Sequence, residues 1–285
     1  MKIGVGFPYE AIGTDPDVYR AYARRAEELG FHHMTFIDHV LGAEHARRDP
    51  PFEGPYTEES VFHEPLTLIS WLAASTERLE LCTTILILAQ RQTALVAKQA
   101  AEIQVLSGGR LRLGLGTGWN FVEYESLGIP FAQRGARLEE QVEVLRKLWT
   151  EPVLDYTGRF HRIDRAGQRP LLGSMVPIWF GGFSDAQQDR CARLGDGFVF
   201  MRMSRLSLSA IGKIRDRAEE VGRDPDALGF EAPAGGTGRE LTGAIEQWEA
   251  AGGTHVTVQV PGEAGGLLGG LSRVARDLGE LLSGS

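Results

Sequence analysis

Short apolar runs alternate with longer amphipathic segments along the whole chain. The short runs carry many β-branched and aromatic residues, as buried strands do, and the longer segments repeat apolar residues at helical spacing. This alternation predicts βαβ units and a parallel sheet. The eight strand candidates are residues 3–8, 33–38, 79–87, 111–116, 176–182, 197–201, 228–232 and 254–260.

Eight strand and helix units predict a closed (β/α)8 barrel of the TIM type, formed by residues 1–285 as a single domain. An open, doubly wound sheet is the alternative, but it leaves the eighth strand and helix without a place. In the first predicted helix, residues 16–30, Gly30 is a candidate C-cap. Two segments exceed the repeat, 41–62 and 150–175, and the second reads as a hairpin with Thr-Gly at its turn. Long insertions at a barrel mouth usually shape the substrate site, so we expect both segments there.

The composition of the chain limits the classes of molecule that it is expected to bind. The chain has 285 residues, with 30 Lys and Arg against 38 Asp and Glu, and a net charge of −8. The basic residues are scattered, which makes nucleic acid and anionic membranes poor partners and favours a small organic molecule. Cys82 and Cys191 are far apart and lack neighbours at metal-ligand spacing, so neither a disulfide nor a zinc site is expected. The start of the chain lacks a signal-peptide pattern, and a cytoplasmic location is the expectation.

The second strand ends in Asp38 and His39, at the edge where barrel active sites form. An imidazole beside a carboxylate suits a general acid or base next to a cofactor hydrogen-bond acceptor. The alternative is a loop Asp that accepts a backbone N–H, followed by a solvated His. Glycine-rich stretches follow the fourth strand at 114–120 and the fifth strand at 179–185. Glycine lets a flat ring or a phosphate approach the backbone, although each stretch by itself also fits a tight turn.

The sequence argues against several other chemistries. The pairs His32-His33, Glu44-His45 and His63-Glu64 invite a metal, but barrel metal enzymes place ligands on the first strand, and residues 3–8 have none. The chain lacks the G-x-S-x-G motif of serine hydrolases. It also lacks a G-x-G-x-x-G unit followed by an acidic residue, which is typical of nicotinamide binding.

Residues 97–150, AKQAAEIQVLSGGRLRLGLGTGWNFVEYESLGIPFAQRGARLEEQVEVLRKLWT, resemble the signature stretch of the bacterial luciferase-like monooxygenase family. The similarity is greatest to the branch of F420-dependent oxidoreductases, and it extends over nearly the whole chain. Further matching segments, in the family's order, are the FP that ends the first strand, ARRAEELGF, the DH pair, EPLTLISWLAAST and PIWFGGFSDAQQDRCARLGDGF.

The resemblance implies a barrel, commonly a homodimer, with a flavin or deazaflavin ring across the strand ends. It assigns the ring's reactive region to Asp38 and His39, and it predicts a cis peptide between Thr84 and Ile85 behind the ring. Two positions depart from the family, Ala89 for a common Pro and Gln104 for a common Asp; the second reads as a surface or packing change. The implied cofactor contacts are Asp38, Thr84, Ile85, Gly116, Thr117, Gly118 and Asn120 around the ring, and Phe180, Gly181, Gly182 and Ser184 along the tail.

Three functions follow from the resemblance. The first is hydride transfer between the deazaflavin F420 and an organic substrate, with His39 managing the proton. The second is a two-component monooxygenase that uses reduced FMN and oxygen. The third is a carrier of a flavin or deazaflavin without catalysis, against which the retained DH pair argues. The insertions contain no recognisable substrate code, and the sequence leaves the substrate open.

Overall fold

A computed structural model describes residues 1–48, 53–260 and 266–283. Within them, eight parallel strands close into a barrel in which sequence neighbours pair and β1 meets β10. The predicted fold class is therefore confirmed. The barrel strands are β1 Lys2–Gly6, β2 His33–Phe36, β3 Glu80–Leu86, β4 Leu111–Leu115, β7 Ile178–Gly182, β8 Gly197–Phe200, β9 Gly229–Ala234 and β10 His255–Val258.

The helices surround the barrel. Asn120 and Ser184 accept backbone N–H groups as N-caps of the helices that follow them. Gly30, the predicted C-cap, follows the end of the first helix with a φ of 90°. The helices are α1 Pro16–Glu28, α2 Pro65–Ala73, α3 Thr93–Leu106, α4 Phe121–Ser126, α5 Arg134–Thr150, α6 Asp185–Leu194, α7 Arg205–Glu220, α8 Gly238–Ala250, α9 Gly266–Leu278 and α10 Glu280–Ser283. Within the described ranges, none is long and apolar enough to cross a membrane.

The two faces of the strands differ in chemistry. Outward residues such as Ile3, Val5 and Met34 are fully buried under the helices and form the apolar core. Successive side chains of a strand point to opposite faces, so the residues between them face the barrel axis. These axial residues include His33 and Glu231, which are almost completely buried. Barrel interiors are usually filled by branched aliphatic side chains, and this one is polar instead.

The predicted hairpin is present as β5 Leu154–Thr157 and β6 Arg162–Ala166. It lies against the outer side of α3 and α5, where Thr93 Oγ1 is 2.6 Å from His161 Nε2. No residue of 150–175 lines the cleft described below, so the segment does not form part of that cleft in this structure. The first insertion has no helix or strand in its described part, and its residues 49–52 lie outside the described residues.

Glu140 of α5 attaches the hairpin. Its carboxylate accepts the backbone N–H groups of Arg159, Phe160 and His161, and it also meets the ring of His161. Burial opposes ionisation, but the His161 and backbone hydrogen bonds outweigh it and lower the pKa of Glu140. A carboxylate with a lowered pKa stabilises the fold above its unfolded pKa and loses that effect as the pH falls.

We therefore predict that Glu140→Gln lowers the free energy of unfolding at pH 7 by about 1–3 kcal/mol. The stability difference from the wild type should shrink as the pH falls below the ordinary Glu value of 4.5. Chemical denaturation at a series of pH values measures both effects. Glu143→Gln is the matched control, because Glu143 accepts one hydroxyl hydrogen bond from Tyr156. An equal loss in that control, or a pH-independent loss, would contradict the assignment.

Candidate functional site

A cleft of about 450 Å³ opens at the C-terminal ends of the barrel strands. This size is typical of small-molecule sites, and this end of a barrel is where such sites form. Aromatic and aliphatic side chains make its walls, and polar side chains from the barrel axis make its floor. The lining residues are Gly6 to Ala11, Thr35, Ile37, Tyr56, Thr84, Val199 to Met201, Glu231, Pro233, Thr257, Gln259 and Val260.

Asp38 is buried beside the cleft and holds the end of the neighbouring strand. Its Oδ1 lies 2.6 Å from Arg91 Nη2, and its Oδ2 accepts the Ile87 N–H at 2.8 Å. Burial raises the pKa of Asp38, while the Arg91 guanidinium and the Ile87 N–H oppose the rise. Both oxygens are thus engaged within the protein. These contacts match the alternative interpretation of Asp38 as an acceptor of backbone N–H groups.

His39 lies next to Asp38 and pairs with a residue that the sequence analysis did not select. Its Nδ1 is 3.2 Å from Oε2 of Glu123, which is fully buried on α4. The other oxygen of Glu123 accepts the N–H groups of Val40 and Leu41. A carboxylate can only accept here, so Nδ1 carries the hydrogen and Nε2 remains for a ligand.

Aromatic rings surround His39. The ring centroids of Tyr56, Phe62 and Trp119 lie 5.1, 4.8 and 5.7 Å from that of His39. Tyr56, which lines the cleft, packs against His39, so the imidazole adjoins the cleft wall. The packing fixes the plane of the ring as Glu123 fixes its tautomer.

The predicted glycines accommodate side chains from the end of β3 and from the residue that follows it. A Cβ on Gly116 would overlap Ile85 Cδ1, and one on Gly181 would lie 2.5 Å from Ile85 Cγ2. A Cβ on Gly118 would lie 2.7 Å from Ile87 Cγ2. The Thr84–Ile85 peptide is cis, as predicted, and Thr84 lines the cleft. The space above these glycines therefore belongs to two isoleucines in this structure.

The remaining predicted residues lie around the cleft without lining it. Asn120 Nδ2 donates to Leu41 O, which ties the first insertion to α4, and the Thr117 carbonyl accepts the Tyr124 hydroxyl. Phe180 is fully buried, and Gly182 has a φ of 138°. Ser184 caps α6, whose first turn carries the carboxylate of Asp185. A negative charge at that position repels a phosphate.

Comparison with known proteins identifies the protein family of this chain. The sequence profile of the family described as luciferase-like monooxygenase matches residues 1–235. The chain belongs to the luciferase-like monooxygenase family.

Two relatives and one solved structure illustrate the range of this family. An uncharacterized protein of Mycobacterium tuberculosis is 35% identical over 205 residues, 68% of each chain. The pyrimidine monooxygenase RutA of Allorhizobium ampelinum is 30% identical, over 80% of this chain and 65% of its own. An F420-dependent secondary alcohol dehydrogenase, solved with an F420-acetone adduct, superimposes with a TM-score of 0.80 at 17% identity, covering 97% of this chain and 98% of its own.

This luciferase-like protein also contains an ion network along the barrel axis that the sequence analysis missed. Glu231 accepts hydrogen bonds from His33 Nε2 at 2.8 Å and from Arg112 Nη1 at 2.6 Å. Burial disfavours the charge of Glu231, but Arg112 and His33 outweigh it and hold the pKa of that carboxyl well below its usual range. The available signal was a charged residue at an inward position of a strand, as in LRLGL and GFEAPA. In the described ranges no cluster of three potential metal ligands occurs.

We predict that Gly116→Ala lowers the free energy of unfolding by about 1–3 kcal/mol, because the new methyl overlaps Ile85. The double variant Gly116→Ala, Ile85→Val removes the overlapping Cδ1 and should recover most of the loss. Gly212→Ala is the control, since no atom lies within 4 Å of its Cβ position on α7. Denaturant unfolding measures all three. Wild-type stability in Gly116→Ala, or no recovery in the double variant, would show that the glycine space is not filled by Ile85.

Proposed function

We propose that this member of the family is an oxidoreductase that transfers hydride between F420 and a small organic substrate. The observation that carries the proposal is the His39–Glu123 pair beside the cleft. Glu123 leaves Nε2 of His39 as the nitrogen that exchanges a proton with the substrate. Hydride transfer to or from a carbonyl carbon requires such a proton exchange at the oxygen.

The cleft fits a flat cofactor ring. Phe7, Tyr9 and Tyr56 offer ring surfaces on one wall, and Val199 to Met201 offer apolar surface on another. Thr84 lies between these walls at the end of β3. When bound there, F420 would supply the two-electron redox chemistry, and the protein would supply orientation and the proton.

The anionic tail of the cofactor has two candidate positions. The resemblance assigns it to residues 180–184, next to the Asp185 carboxylate. A groove of about 720 Å³ adjoins the cleft and shares Pro233 and Gln259 with it. It carries the two cations Arg202 and Arg205 and one carboxylate, that of Glu240. Opposite charges attract, so the electrostatics favour the groove.

F420 is preferred over FMN for two reasons. Residues 97–150 resemble the F420-dependent branch. The alcohol dehydrogenase that superimposes on 97% of this chain is also F420-dependent. The relative named pyrimidine monooxygenase supports the second candidate, an FMN-dependent monooxygenase, at 30% identity. Both candidate functions use the same cleft for the cofactor and the same histidine, His39, beside it. The homodimer and the cytoplasmic location remain predictions from the resemblance and from composition.

We expect purified protein to bind F420 more tightly than FMN in parallel fluorescence titrations. Reduced F420 should then remain stable in air until a substrate is supplied. Comparable or tighter binding of FMN, with oxygen consumption by the reduced complex, would replace the first candidate by the monooxygenase. Tight binding of either cofactor, with no turnover of any tested substrate, would favour a carrier.

His39→Ala should lower kcat by roughly 10²- to 10⁴-fold while changing cofactor affinity little. Glu123→Gln tests the positioning. The N–H groups of Val40 and Leu41 require an acceptor, so the amide oxygen faces them and the amide NH₂ faces Nδ1. His39 would then carry its hydrogen on Nε2, the wrong tautomer for accepting a proton.

The expected result is a lower kcat and a changed pH profile in Glu123→Gln, with an unchanged cofactor Kd. Glu125→Gln on the same helix is the control, because Glu125 is exposed. If His39→Ala retains full activity, His39 is only part of the wall. If Glu125→Gln reproduces the Glu123→Gln profile, the effect belongs to α4 as a whole.

A further inference from the structure

The polar floor of the cleft consists of Thr35, Glu231, Thr257 and Gln259, and Glu231 is the charged group within it. Three donors hold its carboxylate. Oε1 accepts from His33 Nε2 and Thr257 Oγ1, and Oε2 accepts from Arg112 Nη1. An ionised carboxylate has about four acceptor positions. One position on Oε2 therefore remains, on a residue that borders the cleft.

Two carboxylates share one guanidinium in this network. Arg112 is the guanidinium of the network, and both Glu231 and Glu80 pair with it, the second at 3.3 Å from Nε. The lining residues add the carboxylate of Glu10 at the rim and include no Lys or Arg among the described residues. The cleft thus offers negative charge and hydrogen-bond acceptors to its occupant.

A purely structural role explains this network poorly. Buried ion pairs are weak sources of stability, and apolar side chains usually fill barrel interiors. Among the described residues, Nη2 of Arg112 and Nδ1 of His33 have no hydrogen-bond partner. A network selected for stability alone would leave fewer buried donors and acceptors unsatisfied.

We propose that the cleft floor is a substrate subsite for a neutral or cationic molecule that directs an N–H or O–H donor at Glu231. The inference rests on the proposed function, because it assigns the floor to the substrate rather than to the cofactor. Arg112, His33 and Thr257 hold the acceptor in place before the substrate arrives. A molecule without the donor leaves a buried acceptor unpaired, and an anionic molecule meets the charge of Glu231. Both are rejected for these reasons.

Matched probes test this subsite directly. Uracil has two N–H donors, 1,3-dimethyluracil has none, and orotate adds a carboxylate to the uracil ring. The alcohol 2-propanol and its methyl ether form a second pair. Binding is measured calorimetrically to the full chain loaded with its cofactor. We expect the donor-bearing neutral probes to bind on the order of 10- to 100-fold more tightly than their methylated or anionic partners.

Glu231→Gln and Glu80→Gln form the matched variants. Each removes one carboxylate from Arg112, but Glu231 lines the cleft and Glu80 does not. Glu231→Gln should reduce the preference for donor-bearing probes by roughly tenfold and should tighten orotate binding. Glu80→Gln should retain both preferences. The wild-type comparison decides the question by itself if Glu231→Gln does not fold.

Four results would overturn the proposal. They are equal binding of donor-bearing and methylated probes by the wild type, tighter binding of orotate, no binding of either donor-bearing probe at millimolar concentration, and an equal effect of the two variants. A fifth result would overturn it as well: probes that displace the cofactor would assign the floor to the cofactor. Failure of the proposed function is distinct: neither F420 nor FMN would bind, while the same probe comparison on the cofactor-free chain would still decide the role of the floor.

Discussion

The carboxylate of Asp38 joins the C-terminal ends of β2 and β3, and the arrangement of the mouth depends on this link. By accepting the Ile87 N–H and pairing with Arg91, it fixes the turn that follows β3. Arg91 in turn reaches Glu64 at 2.9 Å, at the N-cap of α2. His39, the next residue along the chain, is therefore held in place from its backbone as well as by Glu123. Thr84 lines the cleft, while the next residue, Ile85, packs against Gly116 and Gly181.

The site divides its polar groups between two places. His39, the group proposed to exchange the proton, lies among aromatic rings at the cleft wall with its own carboxylate, and Glu231 lies in the barrel axis beneath the cleft. Each carboxylate is held by several donors, so neither needs to reorganise when a ligand binds. Preorganised polar groups of this kind give selectivity in an otherwise apolar cleft.

The architecture was predictable because strands and helices have different periods, and eight repeats of that alternation leave a closed barrel as the simplest solution. The end of α1 at Gly30 was predictable from local chemistry, because glycine readily adopts the positive φ found there. Tertiary contacts decided the rest. The glycines at 116 and 181 looked like ligand approaches, yet their missing Cβ atoms make room for Ile85.

Three features could be recognised only in the folded structure. The hairpin could be recognised from its turn, but its place on the outer side of α3 and α5 depends on Glu140, whose role has no sequence signature. Glu123 lies 84 residues from His39, and local motifs cannot reveal such a pair. The network in the barrel interior could be predicted only by assigning the charged strand residues Arg112 and Glu231 to the inward face of the barrel. Gln104, read as a surface or packing change, proved buried, and its Oε1 accepts the Leu111 N–H.

A crystal structure of the protein with bound F420 tests the central claim most directly. The account predicts density for the deazaflavin ring inside the cleft, against Thr84 and between Tyr56 and Val199, with His39 Nδ1 still on Glu123. The tail should extend toward Arg202 and Arg205. A ring bound outside this cleft, or a His39 that leaves Glu123 and points away from the ring, would contradict it.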